Sequence, residues 1–458
     1  MVHQYRSNGY NIVLDVNSGA VHLVDDVVYD LIPLMEEDLK APVSELMRLT
    51  GGRYSEDELI EAAGEIRELK EKGQLYAPDV FAPYLDRFIE RKVQDRVVKA
   101  LCLHIAHDCN LRCRYCFAGK GEYHGNRSLM SFEVGKAALD FLIAHSGNRT
   151  NLEVDFFGGE PTMNFDVVRR LTEYGRSREK EAGKKFRFTL TTNGLLLDEE
   201  ILDFANREMG NLVLSIDGRK EVHDRMRPTA GGTGSYDRIL PKLLRAAESR
   251  NQENYYVRGT YTHFNTDFAG DVLHLNDLGF EQISVEPVVC DPSEPYALTE
   301  EDLPKLMSQY DELAQEIIRR RKEGKFINFF HFMIDLSGGP CVAKRLSGCG
   351  AGMEYMAVTP EGDLYPCHQF VGEKEFLLGN VWDGVTNPSL AEEFGALNVY
   401  QKSSCRDCFA KFYCSGGCAA NAWHAQGDVN GAYEIGCTLQ RKRIECAIMI
   451  KAALSEQE

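Results

Sequence analysis

Between residues 101 and 287, six short apolar runs alternate with stretches of helical periodicity, a pattern that few folds accept. The runs span 101–106, 153–157, 186–192, 212–216, 255–261 and 282–286, and amphipathic segments such as 131–145 and 166–182 lie between them. Strand-then-helix repeats of this length predict a parallel sheet with helices on its outside. Six of them predict an α/β fold built on a partial (β/α)6 barrel, two units short of the full eight. Chemistry in such barrels collects where the strands end and the loops begin.

The first run opens directly into a cysteine loop. Cys109, Cys113 and Cys116 are spaced C-x3-C-x2-C, and the aromatic Tyr115 stands just before the last sulfur. Iron–sulfur clusters are normally held by four cysteines, so three leave one iron open to a substrate or cosubstrate. Polar and glycine residues recur at the ends of the next strands: Gly158-Gly159-Glu160-Pro161, then Thr191-Thr192-Asn193-Gly194, then Ser215-Ile216-Asp217-Gly218. A glycine after a strand usually marks only a turn, but the repetition at successive strand ends points to a shared site. The glycines of the first group are expected to let the backbone approach a ligand closely. His223, Asp224, Arg225 and Arg227 follow, and an arginine there suits a bidentate carboxylate contact. Glu286 ends the sixth run and is placed to face the barrel mouth.

The remaining cysteines argue the same way. The chain has 14, in 458 residues, and no export signal is legible at its start. Without oxidising export, such cysteines are metal-binding or catalytic rather than disulfide-bonded. Eight fall in a C-terminal arm: Cys341, Cys349, Cys367, Cys405, Cys408, Cys414, Cys418 and Cys437. Cys349 and Cys367 enclose Gly362 as C-x12-G-x4-C, and the next four read C-x2-C-x5-C-x3-C. A four-cysteine zinc site would show two C-x2-C knuckles, which these spacings do not repeat. Eight thiols suit two four-ligand sites. Cys102, Cys290 and Cys446 are expected to be core thiols.

The loop resembles the signature of the radical S-adenosylmethionine (SAM) enzymes, and the arm resembles the SPASM extension that some of them carry. The resemblance implies three [4Fe–4S] clusters, one binding SAM and two auxiliary. SAM would be split reductively to a 5′-deoxyadenosyl radical at the cluster held by Cys109, Cys113 and Cys116. It also implies cofactor contacts from Tyr115, Gly158, Gly159, Glu160, Asn193, Ser215, Asp217 and Arg227: the Gly-Gly-Glu-Pro loop with the amino group of SAM, Ser215, Asp217 and Asn193 with its ribose or carboxylate, Arg227 with its carboxylate. By the same resemblance Cys405, Cys408, Cys414 and Cys437 hold the outer auxiliary cluster, and Cys349, Cys367 and Cys418 the inner one. Cys341 is the candidate fourth ligand of the inner cluster. If it does not bind, that cluster keeps an iron open to a substrate cysteine.

Residues 1–80 read as a module of their own. An alternating stretch turns about Asn17-Ser18-Gly19 as a β-hairpin, and a helix is expected from residue 26 to 34. Ser55 and Glu58 form a capping box that opens a second helix with Leu59, Ala62, Ala63, Ile66 and Leu69 on one face. Gln74-Leu75-Tyr76 is expected to return as a short strand. The outline is winged-helix-like, which usually means DNA. Seven Lys/Arg against sixteen Asp/Glu give this segment a charge of −9, and a phosphate backbone would be repelled. The module instead resembles the leader-recognition element of peptide-modifying enzymes, which take a peptide as an added strand; a plain capping subdomain is the alternative.

The expected organisation is therefore 1–80 for leader recognition, 81–300 for the barrel, 301–340 as a bridge with an exposed charged helix over 299–325, and 341–458 for the SPASM arm. The net charge of −18 speaks against nucleic acid or anionic membranes as partners, no apolar run reaches the length of a membrane span, and the cytoplasm is the expected compartment. Along its whole length the chain looks most like the maturases of SCIFF peptides, which join a cysteine sulfur to a carbon, commonly of threonine, in a cysteine-rich precursor. That resemblance implies a precursor bound through its leader and an external electron donor of ferredoxin or flavodoxin type. The alternatives are a sulfatase-type maturase, which oxidises one cysteine or serine to formylglycine, and a non-catalytic iron–sulfur or zinc scaffold that binds a peptide. The sulfatase-type relatives place an Asp where His368 stands here, and a passive scaffold has no use for a three-cysteine loop.

Overall fold

The apolar runs form the strands that their composition predicts. In a computed structural model, which describes residues 1–119, 121–123, 125, 127–336 and 345–455, six parallel strands follow one another: β4 (Ala100–Ala106), β5 (Asn151–Gly158), β6 (Lys185–Thr192), β7 (Met209–Ser215), β8 (Tyr255–Tyr261) and β9 (Gln282–Pro287). All seven residues of β4 are buried, as expected of a strand covered on both faces. The helix Phe132–His145 starts at Ser131, whose hydroxyl accepts the Val134 N–H, and the helix Phe165–Ala182 ends at Gly183 in a left-handed conformation. Each carries its apolar stripe against the sheet.

The sheet is wider than the sequence suggested. Among the described residues eleven strands run in the order β10-β9-β8-β7-β6-β5-β4-β11-β12-β13-β14. Next to β9 lies β10 (Asn328–Phe329), and beyond β4 come β11 (Tyr355–Val358), β12 (Asp363–Tyr365), β13 (Gly379–Asn380) and β14 (Gly384–Val385). The cysteine arm is therefore hydrogen-bonded to the barrel: β11 pairs parallel with β4, Tyr355 opposite Ala100 and Val358 opposite Leu103. Gly362 sits in the β11–β12 turn at φ +94, with Trp382 packed over it.

The N-terminal residues form a three-stranded antiparallel sheet, β1 (Val2–Ser7), β2 (Tyr10–Asp15) and β3 (Val21–Val24). The expected hairpin is β2–β3. Strand β1 is an addition, turned by Asn8-Gly9, both at positive φ, the dipeptide that suits a two-residue hairpin turn. Strand β2 is buried on both faces: Val13 packs with the helices Asp26–Met35 and Glu56–Glu71, while Ile12 and Leu14 join the main core. The capping box at Ser55 and Glu58 is present in full. The sequence reading missed the short helix Val43–Leu49, and Gln74-Leu75-Tyr76 is not a strand. Tyr76 has φ +51 and donates its hydroxyl to Ile32 O, so the segment is a plug rather than an edge.

Two further expectations change. The charged helix, Leu303–Lys322, is not exposed all round: Leu306, Tyr310, Leu313 and Ile317 are buried against the C-terminal helix Glu434–Ser455. Its charges occupy the opposite face, as an amphipathic helix requires. Cys290 is only half-buried, whereas Cys102 and Cys446 are core thiols as expected. Cys341 lies outside the described residues. No helix of the described residues is long and apolar enough to cross a membrane.

Candidate active site

The C-terminal ends of all six barrel strands converge on one cavity of about 240 Å³. Cys109, Cys113, Tyr115 and Cys116 line it from the loop after β4. Gly158, Gly159 and Glu160 line it after β5, Thr192 and Asn193 after β6, and Ser215 after β7; Arg258 and Thr260 line it from β8, and Glu286 from β9. Arg227 and His368 complete the wall. Of the expected cofactor residues, only Asp217 does not line it.

Close packing of backbone shapes the loop. Ala106 O accepts the Gly159 N–H at 2.7 Å, and Asp108 O accepts the Glu160 N–H at 2.9 Å. A Cβ at Gly159 would stand 2.1 Å from Asp108 O, and one at Gly158 2.4 Å from Ala106 O. The glycines were expected to admit a ligand; what they admit first is the cysteine loop's own backbone. Glu160 is likewise spent internally. Its buried carboxylate accepts the Thr192 hydroxyl at 2.8 Å, the Asn193 N–H at 2.8 Å, the Thr162 N–H at 3.1 Å and the Thr162 hydroxyl. Burial raises its pKa even so. Asn193 in turn directs its amide to Asn110 Oδ1 at 2.8 Å and to Cys109 Sγ at 3.6 Å.

Asp217 anchors the opposite wall. It is fully buried, and its carboxylate accepts the Tyr115 hydroxyl at 2.7 Å, Arg227 Nε at 3.0 Å and the Thr260 N–H at 3.0 Å. Direct contact with a ligand was the expectation for Asp217. Its oxygens are turned to these three donors, contacts that hold Tyr115 and Arg227 in the cavity wall. The Arg227 guanidinium lies 5.4 Å from the Tyr115 ring centre. His223 bridges from behind, with Nδ1 accepting the Asp217 N–H at 3.3 Å and Nε2 facing Ser235 Oγ at 2.9 Å.

The three thiols suit a metal cluster on the chemistry of their surroundings. Burial pushes Cys109 and Cys113 up to about 12 and raises Cys116, while the nearby Arg227 guanidinium pulls Cys113 and Cys116 back. A metal's charge would let sulfurs so buried become thiolates, though among the described residues no group of three Cys, His, Asp or Glu side chains is arranged to hold a metal ion. The Leu111 N–H, 3.4 Å from Cys109 Sγ, and the Asn193 amide supply the hydrogen bonds that tune such sulfurs.

Sequence reasoning missed an aromatic cluster beneath the loop. Tyr123 lies between the rings of His104 and His107, at 4.5 and 4.6 Å, and donates to Gly158 O at 3.2 Å. His104 and His107 share a hydrogen bond of 3.0 Å, and burial lowers the pKa of both. His368 packs on Phe117 and Phe157 at 5.3 and 5.0 Å, and burial lowers it to about 4. Arg258, paired with Glu286 at 2.8 Å, was also missed. Alternation along β8 places it, but nothing in the sequence tells which strand face lines a cavity.

The arm's cysteines differ widely in exposure. Cys367 and Cys405 are buried, Cys408, Cys414 and Cys437 half-buried, and Cys349 and Cys418 exposed. Lys402 is buried close enough to feel Cys405, Cys418, Cys414 and Cys437, with Nζ donating to Gly431 O at 2.9 Å. Lys402 thus feels thiols from both of the ligand sets that the resemblance implies.

An α/β radical SAM fold followed by a cysteine-bearing arm is what this architecture defines, and family comparison agrees. Residues 103–267 match the Radical SAM superfamily, and residues 349–409 match SPASM, an iron–sulfur cluster-binding domain. The chain thus carries a radical SAM domain and a SPASM domain, which imply SAM and [4Fe–4S] clusters. It is 25% identical over 339 residues to a cysteine-type anaerobic sulfatase-maturating enzyme of Clostridium novyi, covering 69% of this chain and 86% of the relative. Among solved structures, native anSMEcpe with bound AdoMet superimposes with a TM-score of 0.63 at 21% identity, over 78% of this chain and 99% of the other. Streptococcus suis SuiB bound to S-adenosylmethionine superimposes with a TM-score of 0.52 at 16% identity, over 95% and 98%.

Proposed function

We propose that this protein is a peptide maturase that forms thioether bridges, cysteine sulfur to carbon, in a cysteine-rich precursor. The observation that carries the reading is the shared cavity: the three-cysteine loop forms one wall, and His368, next to Cys367 of the arm, forms part of another. Bound there, the SAM-loaded cluster supplies a radical able to take hydrogen from an unactivated carbon, chemistry that acid–base side chains cannot do. The chain's own residues do the rest. Arg227, fixed by Asp217, offers its guanidinium to the carboxylate of SAM. Ser215 and Asn193 take its polar groups. Phe117, Phe157 and His368 exclude water from the centre. Three clusters are assigned: one at Cys109, Cys113 and Cys116, and two on the arm cysteines.

The N-terminal sheet supports the peptide reading. Among the described residues strand β3 is an edge, paired only with β2, and Leu23 is 42% exposed on it, so an extended leader segment has a strand edge to join. SuiB, whose alignment with this chain spans all but about a twentieth of it, has also been solved bound to precursor peptide SuiA. Roughly a fifth of this chain has no counterpart in anSMEcpe. Formylglycine formation is the second reading, favoured by the C. novyi relative. Mass spectrometry after anaerobic incubation with a short cysteine-rich precursor separates the two. A thioether removes two hydrogens and one alkylatable thiol per bridge; conversion of a cysteine to an aldehyde would overturn the thioether assignment.

A further inference from the structure

The cavity wall divides by whether its polar groups are already bonded. Near the cysteine loop, Glu160, Thr192 and Asn193 are bonded to one another, and Tyr115 and Arg227 to Asp217. The side built by β8, β9 and the arm is different. Arg258 and Glu286 line it from neighbouring strands and share a single hydrogen bond, Arg258 Nη2 to Glu286 Oε2 at 2.8 Å. Nε and Nη1 of Arg258 have no partner among the described residues, and Glu286 Oε1 stands 4.0 Å from His331 Nε2. Gln369 of the arm lines the cavity too, and its Oε1 is buried with no hydrogen-bond partner among the described residues. An acceptor buried unbonded is costly, so such an atom marks where a donor is to arrive. The wall continues along β8 as an apolar ledge. Alternation along the strand puts Tyr256 on the face of Arg258. The Phe330 ring stands edge-on to Tyr256 at 5.4 Å, and Met333 Sδ accepts the Tyr256 hydroxyl at 3.5 Å. Phe330 and Met333 are 47% and 60% exposed.

What this pair can hold follows from its charge. Burial lowers His331 well below its ordinary pKa, so it adds none. Buried Arg443, which also senses Glu286, does not line the cavity and donates to the Tyr310 hydroxyl oxygen at 2.7 Å. The charges of Arg258 and Glu286 therefore sum to zero, and an anion or a cation drawn between them would leave one of the two unpaired. A neutral group with a donor and an acceptor side by side satisfies both. We infer that Arg258 and Glu286 hold the backbone of the substrate peptide, Arg258 donating to the C=O and Glu286 accepting the N–H of one extended residue, with Gln369 Oε1 accepting a further N–H. Those two groups of one residue point the same way in an extended chain, as they do in an antiparallel ladder. The ledge of Tyr256, Phe330 and Met333 seats the side chains that follow. A clamp on backbone is indifferent to the residues beside each cysteine, which suits a precursor that offers several. The inference rests on the peptide-maturase reading above and gives that reading its substrate contacts.

The test uses the cluster-loaded protein and a synthetic cysteine-rich peptide, with loss of alkylatable thiol as the readout. Arg258→Ala and Glu286→Ala should each raise the KM for peptide roughly tenfold, the effect of losing a hydrogen bond to a charged group, and leave the KM for SAM where it was. Glu286→Gln, which still offers an acceptor, should keep most of the affinity; recognition of a cationic group would not survive it. Peptides with single amide-to-ester replacements locate the contact. One ester should raise KM by the same factor in the unaltered protein and add nothing in Glu286→Ala, the mark of two partners in one interaction. Unchanged peptide KM in both Ala variants, or additive effects at every ester position, would overturn the clamp. So would a loss traced to an Asn or Gln side chain of the peptide instead of its backbone. The ester scan needs no variant, so a misfolded Ala protein does not spare the inference: absence of any sensitive amide overturns it. An unaltered protein that converts no peptide cysteine, to bridge or to aldehyde, would instead bring down the maturase reading, and the clamp with it.

Discussion

The barrel mouth and the C-terminal arm both gather cysteines, but they do so by opposite means. At the mouth, three thiols hang from a loop packed against neighbours that carry no sulfur: the Gly158–Gly159 backbone, the Glu160 carboxylate, the Asp217 hub. In the arm, the thiols sit on short helical turns such as Ser403–Arg406 and Lys411–Cys414, and two of the seven described are exposed. One set of thiols is held in place by backbone and carboxylate contacts; the other sits on short turns and is partly exposed.

The sharpest way to break this contrast is to remove the hub. Asp217→Ala leaves Arg227 inside without its counter-charge, and uncompensated buried charges of this kind cost about 3–5 kcal/mol; thermal unfolding should show it, and SAM cleavage should vanish with it. Gly159→Ala comes next. The added methyl collides with Asp108 O, and a displacement near 1 Å is enough for a loss of about 100-fold, read as the rate of 5′-deoxyadenosine formation in protein that keeps its helical circular dichroism. Chelation should separate the regions directly. Stripped of metal, the protein should be cut by protease within residues 400–432 well before the barrel is touched, and simultaneous loss of both would abolish the distinction.

The junction of the two regions carries a pH signature. Burial pushes Asp155 on β5, which neighbours Cys102 and Tyr355, up to about 6. A carboxyl whose folded pKa lies above its unfolded value near 4 opposes folding when ionised. The Asp155 contribution should therefore grow as pH falls from about 7 towards 4, against the opposite slope of buried His107, His223 and His368, whose folded pKa values of about 4 lie below the unfolded one. Asp155→Asn should make the loss of melting temperature on acidification steeper over that range. The smallest effect belongs to the N-terminal module, where Ser55→Ala removes one side of the capping box and should cost about 1 kcal/mol in chemical denaturation, with SAM cleavage unaltered.

How much of this was legible follows from range. The six barrel strands are local patterns of four to eight apolar residues, and the helices between them announce their caps, so both could be read from one stretch at a time. The cysteine loop was equally plain. The pairing of β11 with β4 was not, because Tyr355–Val358 is four residues long and its partner lies some 250 positions away. Strand β1 could have been found: Asn8-Gly9 between apolar residues is a strong hairpin signal. So could the buried face of Leu303–Lys322, since Leu306, Tyr310, Leu313 and Ile317 recur at helical spacing beneath the charges. The role of Asp217 lay beyond reach. A sequence shows that a carboxylate ends a strand, but which donors consume it depends on Tyr115, Arg227 and Thr260 arriving from three other segments.

The parallel pairing of β11 with β4 also limits how the protein can be taken apart. A polypeptide ending before residue 345 would leave the strand that feeds the cysteine loop as an outermost strand, its backbone donors and acceptors unsatisfied on one side and its apolar residues uncovered. Such raw borders recruit other chains. Catalytic half and accessory half are thus a single cooperative object, and the shortened enzyme should be recovered as aggregate.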